Sequence, residues 1–284
     1  MTKRKPFLLV QIKLCFFDLT QLNISCEEKI TIKGDANKFQ GSPLMLKHLL
    51  LNDESIHCSS CMLGHICVPS GLNPTDIERL SQLVKERIRI PKGVFFYKVT
   101  DPLTAIYSIR SGSMKTQLEN ENGHVQITGF FLPGEILGLD GIGEGQHLSN
   151  AIALEDTEVC VLRINEFDSL SLESPALQAQ CRRLLSKEIS RSHGMVLALG
   201  AMRSEQRVAS FLLDMSERYT NLGYSPNEFI LRMSREEIGN YLGLTLETVS
   251  RLFSRFQREG LIRIQQREIR LINKPGIQDL LRID

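Results

Sequence analysis

The chain has 284 residues, 42% of them hydrophobic and 24% charged, with a formal net charge of +1. That length suffices for two domains with their own cores, and the composition excludes a disordered or fibrous chain. Seven cysteines, an odd number in so long a chain, exclude a disulfide-stapled mini-domain, and a net charge this small singles out no partner.

At the N-terminus, Lys3-Arg4-Lys5 precedes the apolar run Phe7 to Phe17. Gln11 and Lys13 interrupt that run, no small-residue cleavage site follows, and it is too short to span a bilayer as a helix. Residues 1 to about 35 read as a poorly specified extension, such as an upstream start codon would create. Taken to residue 55, this region is the first of four expected segments. The expectation is a cytoplasmic protein without a membrane partner.

Next comes IHCSSCMLGHIC, which places Cys58, Cys61 and Cys67 in a C-x2-C-x5-C loop, with Cys160 far downstream. Thiolates this dense are what a soft metal centre requires. Spacing alone leaves a structural zinc site and an iron–sulfur cluster equally open. Asn73-Pro74 then opens a helix, an N-cap residue followed by proline at the first helical position. Its expected apolar stripe is Ile77, Leu80, Val84 and Ile88.

From Pro91 to about Ile164 the pattern turns to short β-like runs: Val94–Val99, Ala105–Ile109, Val125–Phe131 and Thr157–Ile164. Glycines such as Gly112, Gly123, Gly134 and Gly138 punctuate them, which predicts a small barrel or roll. Pro175 starts another regime. Between Leu177 and Met202 there is no proline, and Cys181, Leu185, Ile189, Ser192, Val196 and Leu199 recur at four- and three-residue steps. A seam that narrow predicts a long helix pairing with a second copy of itself. Cys181 on the seam reads as a small hydrophobe rather than a ligand.

Ser234 to Gly260 holds the strongest local signal. Ser234 and Glu237 form an S-x-x-E capping box, Ile238 and Leu242 follow on one face, and Gly243 stops the helix. Thr245 caps the next helix, LETVSRLFSRFQRE, so the pair is a helix-turn-helix. At roughly 100° per residue, Val249, Leu252, Phe253 and Phe256 share one side, and Glu247, Ser250, Arg251, Ser254 and Arg258 share the other. The second set suits a major groove. Glu accepts from cytosine N4, Arg pairs bidentately with guanine, and Ser holds a base or a phosphate. Leu261–Ile264 and Ile269–Ile272 read as a hairpin wing whose tip could reach the DNA backbone. Between Ser250 and Lys274, six arginines and one lysine face only two glutamates, a local field that would attract phosphates.

Taken together, CSSCMLGHICVP, YSIRSGSMK, QITGFFLPGEILGLDGIG, ALEDTEVC and IGNYLGLTLETVSRLFSRFQREG resemble the FNR branch (fumarate and nitrate reduction regulators) of the CRP/FNR transcription factors, from about Ile56 to Leu281. The resemblance implies an α+β protein: an N-terminal cyclic-nucleotide-binding-like β-roll, a long dimerisation helix and a C-terminal winged helix-turn-helix. It also implies that Cys58, Cys61, Cys67 and Cys160 hold one oxygen-labile [4Fe-4S] cluster per subunit. A homodimer would read a palindrome with half-sites like TTGAT, with Glu247, Ser250 and Arg251 as the base-reading trio and RNA polymerase as a further partner.

The expected segments after the extension are residues 56–170 for the cluster loop and roll, 171–203 for the dimerisation helix and 204–284 for the DNA-binding domain. Two departures from the family pattern matter. GEGQHLSNAI offers Leu148 and Ser149 where nucleotide-responsive members place an Arg-Ser pair, so cyclic AMP is not the expected ligand. Ser192 stands where a family member carries an aspartate that would oppose dimerisation, so pairing here is expected to be easier. The function expected is thus an oxygen-responsive regulator that activates or represses anaerobic genes. Its rivals are a regulator with a structural zinc site or one answering a small molecule. A ferredoxin-like relay leaves the helix-turn-helix unexplained, and no nucleophile–base constellation suggests an enzyme.

Overall fold

The computed structural model describes residues 57–282 with their side chains and, ahead of them, the backbone of five strands. The chain divides into two compact units, Met1–Lys47 and His48–Asp284. In the first, β1 (Phe7–Lys13) pairs antiparallel with β4 (Lys29–Asp35), and β2 (Phe16–Asp18) with β3 (Asn23–Ser25). No strand was expected there. The Lys3-Arg4-Lys5 run, Cys15 and Cys26 lie outside the described residues.

The second unit opens with β5 (Leu49–Leu51), followed by the cysteine loop and α1 (Pro74–Leu83). Asn73 caps α1 as expected, its Oδ1 accepting from Asp76 N at 2.8 Å. The helix ends earlier than the apolar stripe suggested. Val84 is its C-cap, and Ile88 belongs instead to β6 (Arg87–Ile90). The reason lies in the alternation Arg87-Ile88-Arg89-Ile90: a strand sends its arginines to one face and its isoleucines to the other, and pairing with a neighbouring strand settles the choice.

Strands β7 (Phe95–Tyr97), β8 (Ala105–Ser111), β9 (Met114–Glu119), β10 (Val125–Phe131), β11 (Ile136–Leu137), β12 (Asn150–Ala153) and β13 (Thr157–Arg163) complete the roll. One sheet runs β10-β9-β12-β7 and the other β11-β8-β13-β6-β5. Ile90, Ile109, Met114, Phe131, Leu137 and Val159 fill the space between them. Strand alternation along β10 puts the adjacent Phe130 and Phe131 in different cores.

Beyond the roll lie α2 (Ile164–Glu173), which the β-like run through Ile164 did not suggest, and α3 (Pro175–Ala201). Ser174 caps α3, accepting from Leu177 N at 3.1 Å. No helix among the described residues is long and apolar enough to cross a membrane. The C-terminal part packs α4 (Ser204–Asn221), α5 (Arg235–Leu242), α6 (Leu246–Arg258) and α7 (Lys274–Asp279) on a sheet ordered β14 (Glu228–Ile230), β16 (Glu268–Leu271), β15 (Ile262–Gln265). The expected wing is β15–β16, each strand shifted by one residue toward the turn between them, and β14 adds a third strand that sequence reading missed. Phe211, Leu212, Val249, Phe253 and Phe256 form this part's core, which Ile127, Phe130 and Leu154 of the roll join.

Candidate functional site

The cysteine loop is a chain of tight turns. Cys61 N donates to Cys58 O at 3.3 Å, Gly64 N to Cys61 O at 3.0 Å and Cys67 N to Leu63 O at 2.9 Å. Ser81 of α1 anchors the loop's start by accepting from Cys58 N at 3.0 Å. The loop and α1 cover the outer face of the β8-β13-β6 sheet, which Ile106 and Leu162 share with Cys160. Ser108 and Arg87 flank Cys160 on the neighbouring strands. Cys67 Sγ lies 2.9 Å from Ser108 Oγ.

This brings all four sequence-selected cysteines to one cavity of about 40 Å³, which they line with Leu63, Val68, Leu80, Val84, Ile109, Leu162 and Arg110. Burial pushes the Cys67 thiol up to about 12 and Cys160 to about 11, and raises Cys58 too. Thiols so raised hold their protons until a soft cation displaces them. Among the described residues no group of three His, Cys, Asp or Glu side chains is drawn into a ready-made single-ion site. Cys181 is half-buried, its Sγ 3.9 Å from Ser171 Oγ, and packs with the same apolar group without lining the cavity.

A second cavity of about 270 Å³ lies between the roll and α3, lined by Tyr97, Asp140, Ser149, Glu188 and Ser192 among others. No arginine lines it, and Ser149 Oγ donates to Asp140 Oδ2 at 2.8 Å.

Helix α3 has two different sides. Leu177, Gln180 and Ala198 are buried, and Leu184 and Met195 pack inward. The expected seam is on the surface: Leu185 is 39% exposed, Ile189 56%, Val196 70% and Leu199 36%, with Ser192 exposed among them. Leu199 also reaches the helix-turn-helix, because a Cβ on Gly243 would lie 3.1 Å from its Cδ2.

In the helix-turn-helix the capping box closes, with Ser234 N donating to Glu237 Oε2 at 2.6 Å and Glu237 N to Ser234 Oγ at 3.1 Å. Gly243 ends α5 at φ 62°, a conformation that favours glycine, and Thr245 caps α6. On α6, Val249, Phe253 and Phe256 are buried while Glu247, Arg251, Ser254 and Arg258 are exposed and Ser250 is half-buried. Arg255, on the same helix, is engaged by Glu205 at 2.6 Å and Glu259 at 2.7 Å. Arg251 and Arg258 make no salt bridge among the described residues, so their guanidiniums are available to an incoming anion. Arg267 at the wing tip donates to Arg232 O at 2.9 Å, which ties it to the protein rather than extending it toward a DNA backbone.

Sequence reading missed a polar pin. Glu135 follows Gly134 in the turn before β11 and receives Arg218 of α4 at 2.6 Å and Arg191 of α3 at 2.7 Å. Burial disfavours its charge, yet the two guanidiniums and Leu132 N hold its carboxyl at about 2. Gly134 is itself packed by the cysteine loop, since an added Cβ would fall 2.6 Å from Ile66 Cδ1. His65 of the same loop donates from Nε2 to the Asn221 carbonyl at the end of α4, at 2.9 Å. Only the paired Gly-Glu could have drawn notice, and that pair is common in turns.

Comparison with known proteins agrees with this architecture. Residues 87–174 match the cyclic nucleotide-binding domain family and residues 206–280 the Crp-like helix-turn-helix domain family. The transcriptional regulatory protein btr of Bordetella pertussis is 62% identical over 237 residues, covering 84% of this chain and 98% of its own. The fumarate and nitrate reduction regulatory protein of Escherichia coli K12 is 40% identical over 226 residues, covering 80% and 90%. The solved structure of FixK2 from Bradyrhizobium japonicum superposes with a TM-score of 0.64 at 28% identity, over 70% of this chain and 98% of that one. These relatives are regulators of transcription rather than enzymes, and the chain belongs with them to the CRP/FNR family of DNA-binding transcription regulators, in its FNR branch.

Proposed function

We propose that this regulator responds to oxygen in the cytoplasm through one [4Fe-4S] cluster per subunit, held by Cys58, Cys61, Cys67 and Cys160, and so activates or represses anaerobic genes. The observation that carries the reading is that three thiols of one loop and a fourth from β13 line a single apolar cavity. Such a cavity suits an all-thiolate centre, and the donor set fits, with one cysteine for each iron. When bound, the cluster supplies an oxidant-labile cross-link between the cysteine loop and the roll.

The chain's own residues then carry the consequence. A loop held on the roll keeps Ile66 against Gly134 and His65 on the Asn221 carbonyl. Glu135, adjacent to Gly134, in turn holds α3 through Arg191 and α4 through Arg218. Loosening the loop therefore bears on the dimerisation helix and the DNA-binding part together, through this contiguous set of contacts. Leu185, Ile189, Ser192, Val196 and Leu199 form the face on which two subunits pair. Pairing places two α6 helices on a palindrome with TTGAT-like half-sites, where Glu247, Ser250 and Arg251 read bases and Ser254 and Arg258 support them. A dimer engages both half-sites at once, so dimerisation sets affinity. RNA polymerase is the further partner this reading implies. Cyclic AMP is not its signal: Asp140 and Glu188 in the second cavity would repel the phosphate, and no arginine lines that cavity to hold it.

Anaerobic purification with iron, sulfide and zinc analysis tests the reading, followed by palindrome binding before and after exposure to air. Iron-rich protein that loses both its colour and its DNA affinity in air is expected. Zinc-containing or metal-free protein that binds equally in both conditions would overturn it.

A further inference from the structure

The outer face of the β8-β13-β6 sheet carries more than the fourth cysteine. Antiparallel register sets Arg87 beside Cys160 and Arg89 beside Glu158, while Ser108 and Arg110 alternate on the adjoining strand. Cross-strand neighbours on one face lie within side-chain reach of each other. Glu158, two residues before Cys160 on the same face, gathers three guanidiniums: Arg110 at 2.7 Å, Arg89 at 3.4 Å and Arg87 at 3.6 Å. One carboxylate neutralises only one of them. A net positive charge therefore stands against the thiol cavity, whose wall includes Arg110.

Two details separate this network from a surface charge cluster. Arg87 is nearly buried, its side chain 11% exposed, and its Nε has no hydrogen-bond partner among the described residues. Burying a guanidinium N–H without an acceptor is costly, so a fixed acceptor is expected in reach of it when the protein is loaded. Arg89, by contrast, is 60% exposed, so solvent screens its charge. Arg87 sits cross-strand from Cys160, and Arg110 lines the cavity beside it.

We infer that Arg87 and Arg110, tethered by Glu158, are positioning residues that balance the negative charge of the thiolate-bound cluster and so set how readily it gives up an electron. This rests on the cluster reading above and deepens it. Four thiolates around a [4Fe-4S]2+ core make a dianion. Loss of one electron to dissolved O2 yields superoxide and leaves a monoanion, with no atom transferred in that step. Nearby positive charge stabilises the dianion more than the monoanion and slows the step; nearby negative charge speeds it.

The test follows bleaching of the anaerobically loaded full-length protein in buffer of fixed oxygen content, with iron and sulfide counted beforehand. Oxygen is uncharged, so surface charge does not steer its approach. Arg110→Gln and Arg87→Gln should bleach on the order of threefold to tenfold faster than wild type. Arg89→Gln should change the rate least, and Arg110→Lys should restore most of the wild-type rate. Glu158→Gln should bleach more slowly, the opposite of what mere loosening of the site would do, and this near-isosteric variant keeps the test open if an arginine variant fails to load. Equal rates across the series, a lysine variant as fast as the glutamine one, or a faster Glu158→Gln would overturn the inference. Wild-type protein free of iron would instead defeat the cluster reading itself.

Discussion

Helix α6 displays its outward side chains within thirteen consecutive residues, whereas the thiol cavity draws three cysteines from a loop and a fourth from a strand far along the chain. The helix gets its geometry from periodicity: once Val249, Phe253 and Phe256 are buried, the opposite face is fixed by rotation alone. The cavity gets its geometry from strand register and from how the loop seats on α1 and the sheet. Damage should therefore be graded on α6, where each side chain acts nearly independently, and close to all-or-none at the thiols, where each ligand completes a shared centre.

Cys160→Ser gives the sharpest break in that comparison. We expect near-complete loss of bound iron and of anaerobic palindrome binding, with far-ultraviolet circular dichroism unchanged because the roll's core is elsewhere. Full iron content in this variant would remove Cys160 from the ligand set.

Glu135→Gln probes the pin between these two regions. The folded carboxyl sits at about 2 against an ordinary 4.5, and removing one partner of a buried ion pair leaves the others uncompensated. The variant should lose about 3 kcal/mol of stability at pH 7. Because the folded value is the lower one, this contribution is fully present above about 4.5 and is lost as pH falls through about 2. Denaturant titrations from pH 7 downward should show the two proteins converging in acid. A constant gap would mean that charge is not the cause.

Arg251→Ala should cost about 1–3 kcal/mol of site-specific binding and relax specificity at one base pair. Uniform weakening across unrelated sequences would make Arg251 a phosphate contact. The smallest effect is expected from Ser192→Asp, which adds a charge to an exposed position whose hydroxyl now donates to the Glu188 carbonyl. Sedimentation of the loaded protein should show a few-fold weaker dimer. Indistinguishable constants would place residue 192 outside the interface.

The contrast also explains what could be read without coordinates. Capping at Asn73, Ser234 and Thr245 was legible because a cap is a contact between residues two or three apart. Val125–Phe131 was legible as a strand because turns bound it on both sides. Ile88 misled because its spacing from Val84 fits a helix, while the partner that makes it a strand, Val159, is remote. The short strands β9, β11 and β12 carried too little pattern of their own. Arg87, Arg110 and Glu158 looked like ordinary surface charge until register placed them together.

Local order thus settled which residues cap, which face of α6 points outward, and that thiols gather near residue 60, since those properties depend on neighbours within a turn or two. Folding in three dimensions decided that Cys160 joins that loop, that Glu135 holds both α3 and α4, and that α3 keeps one side inward and leaves Ile189 and Val196 in solvent. These depend on which strands pair and in what register, and nothing within one short stretch of chain encodes a contact whose other half lies dozens of residues away.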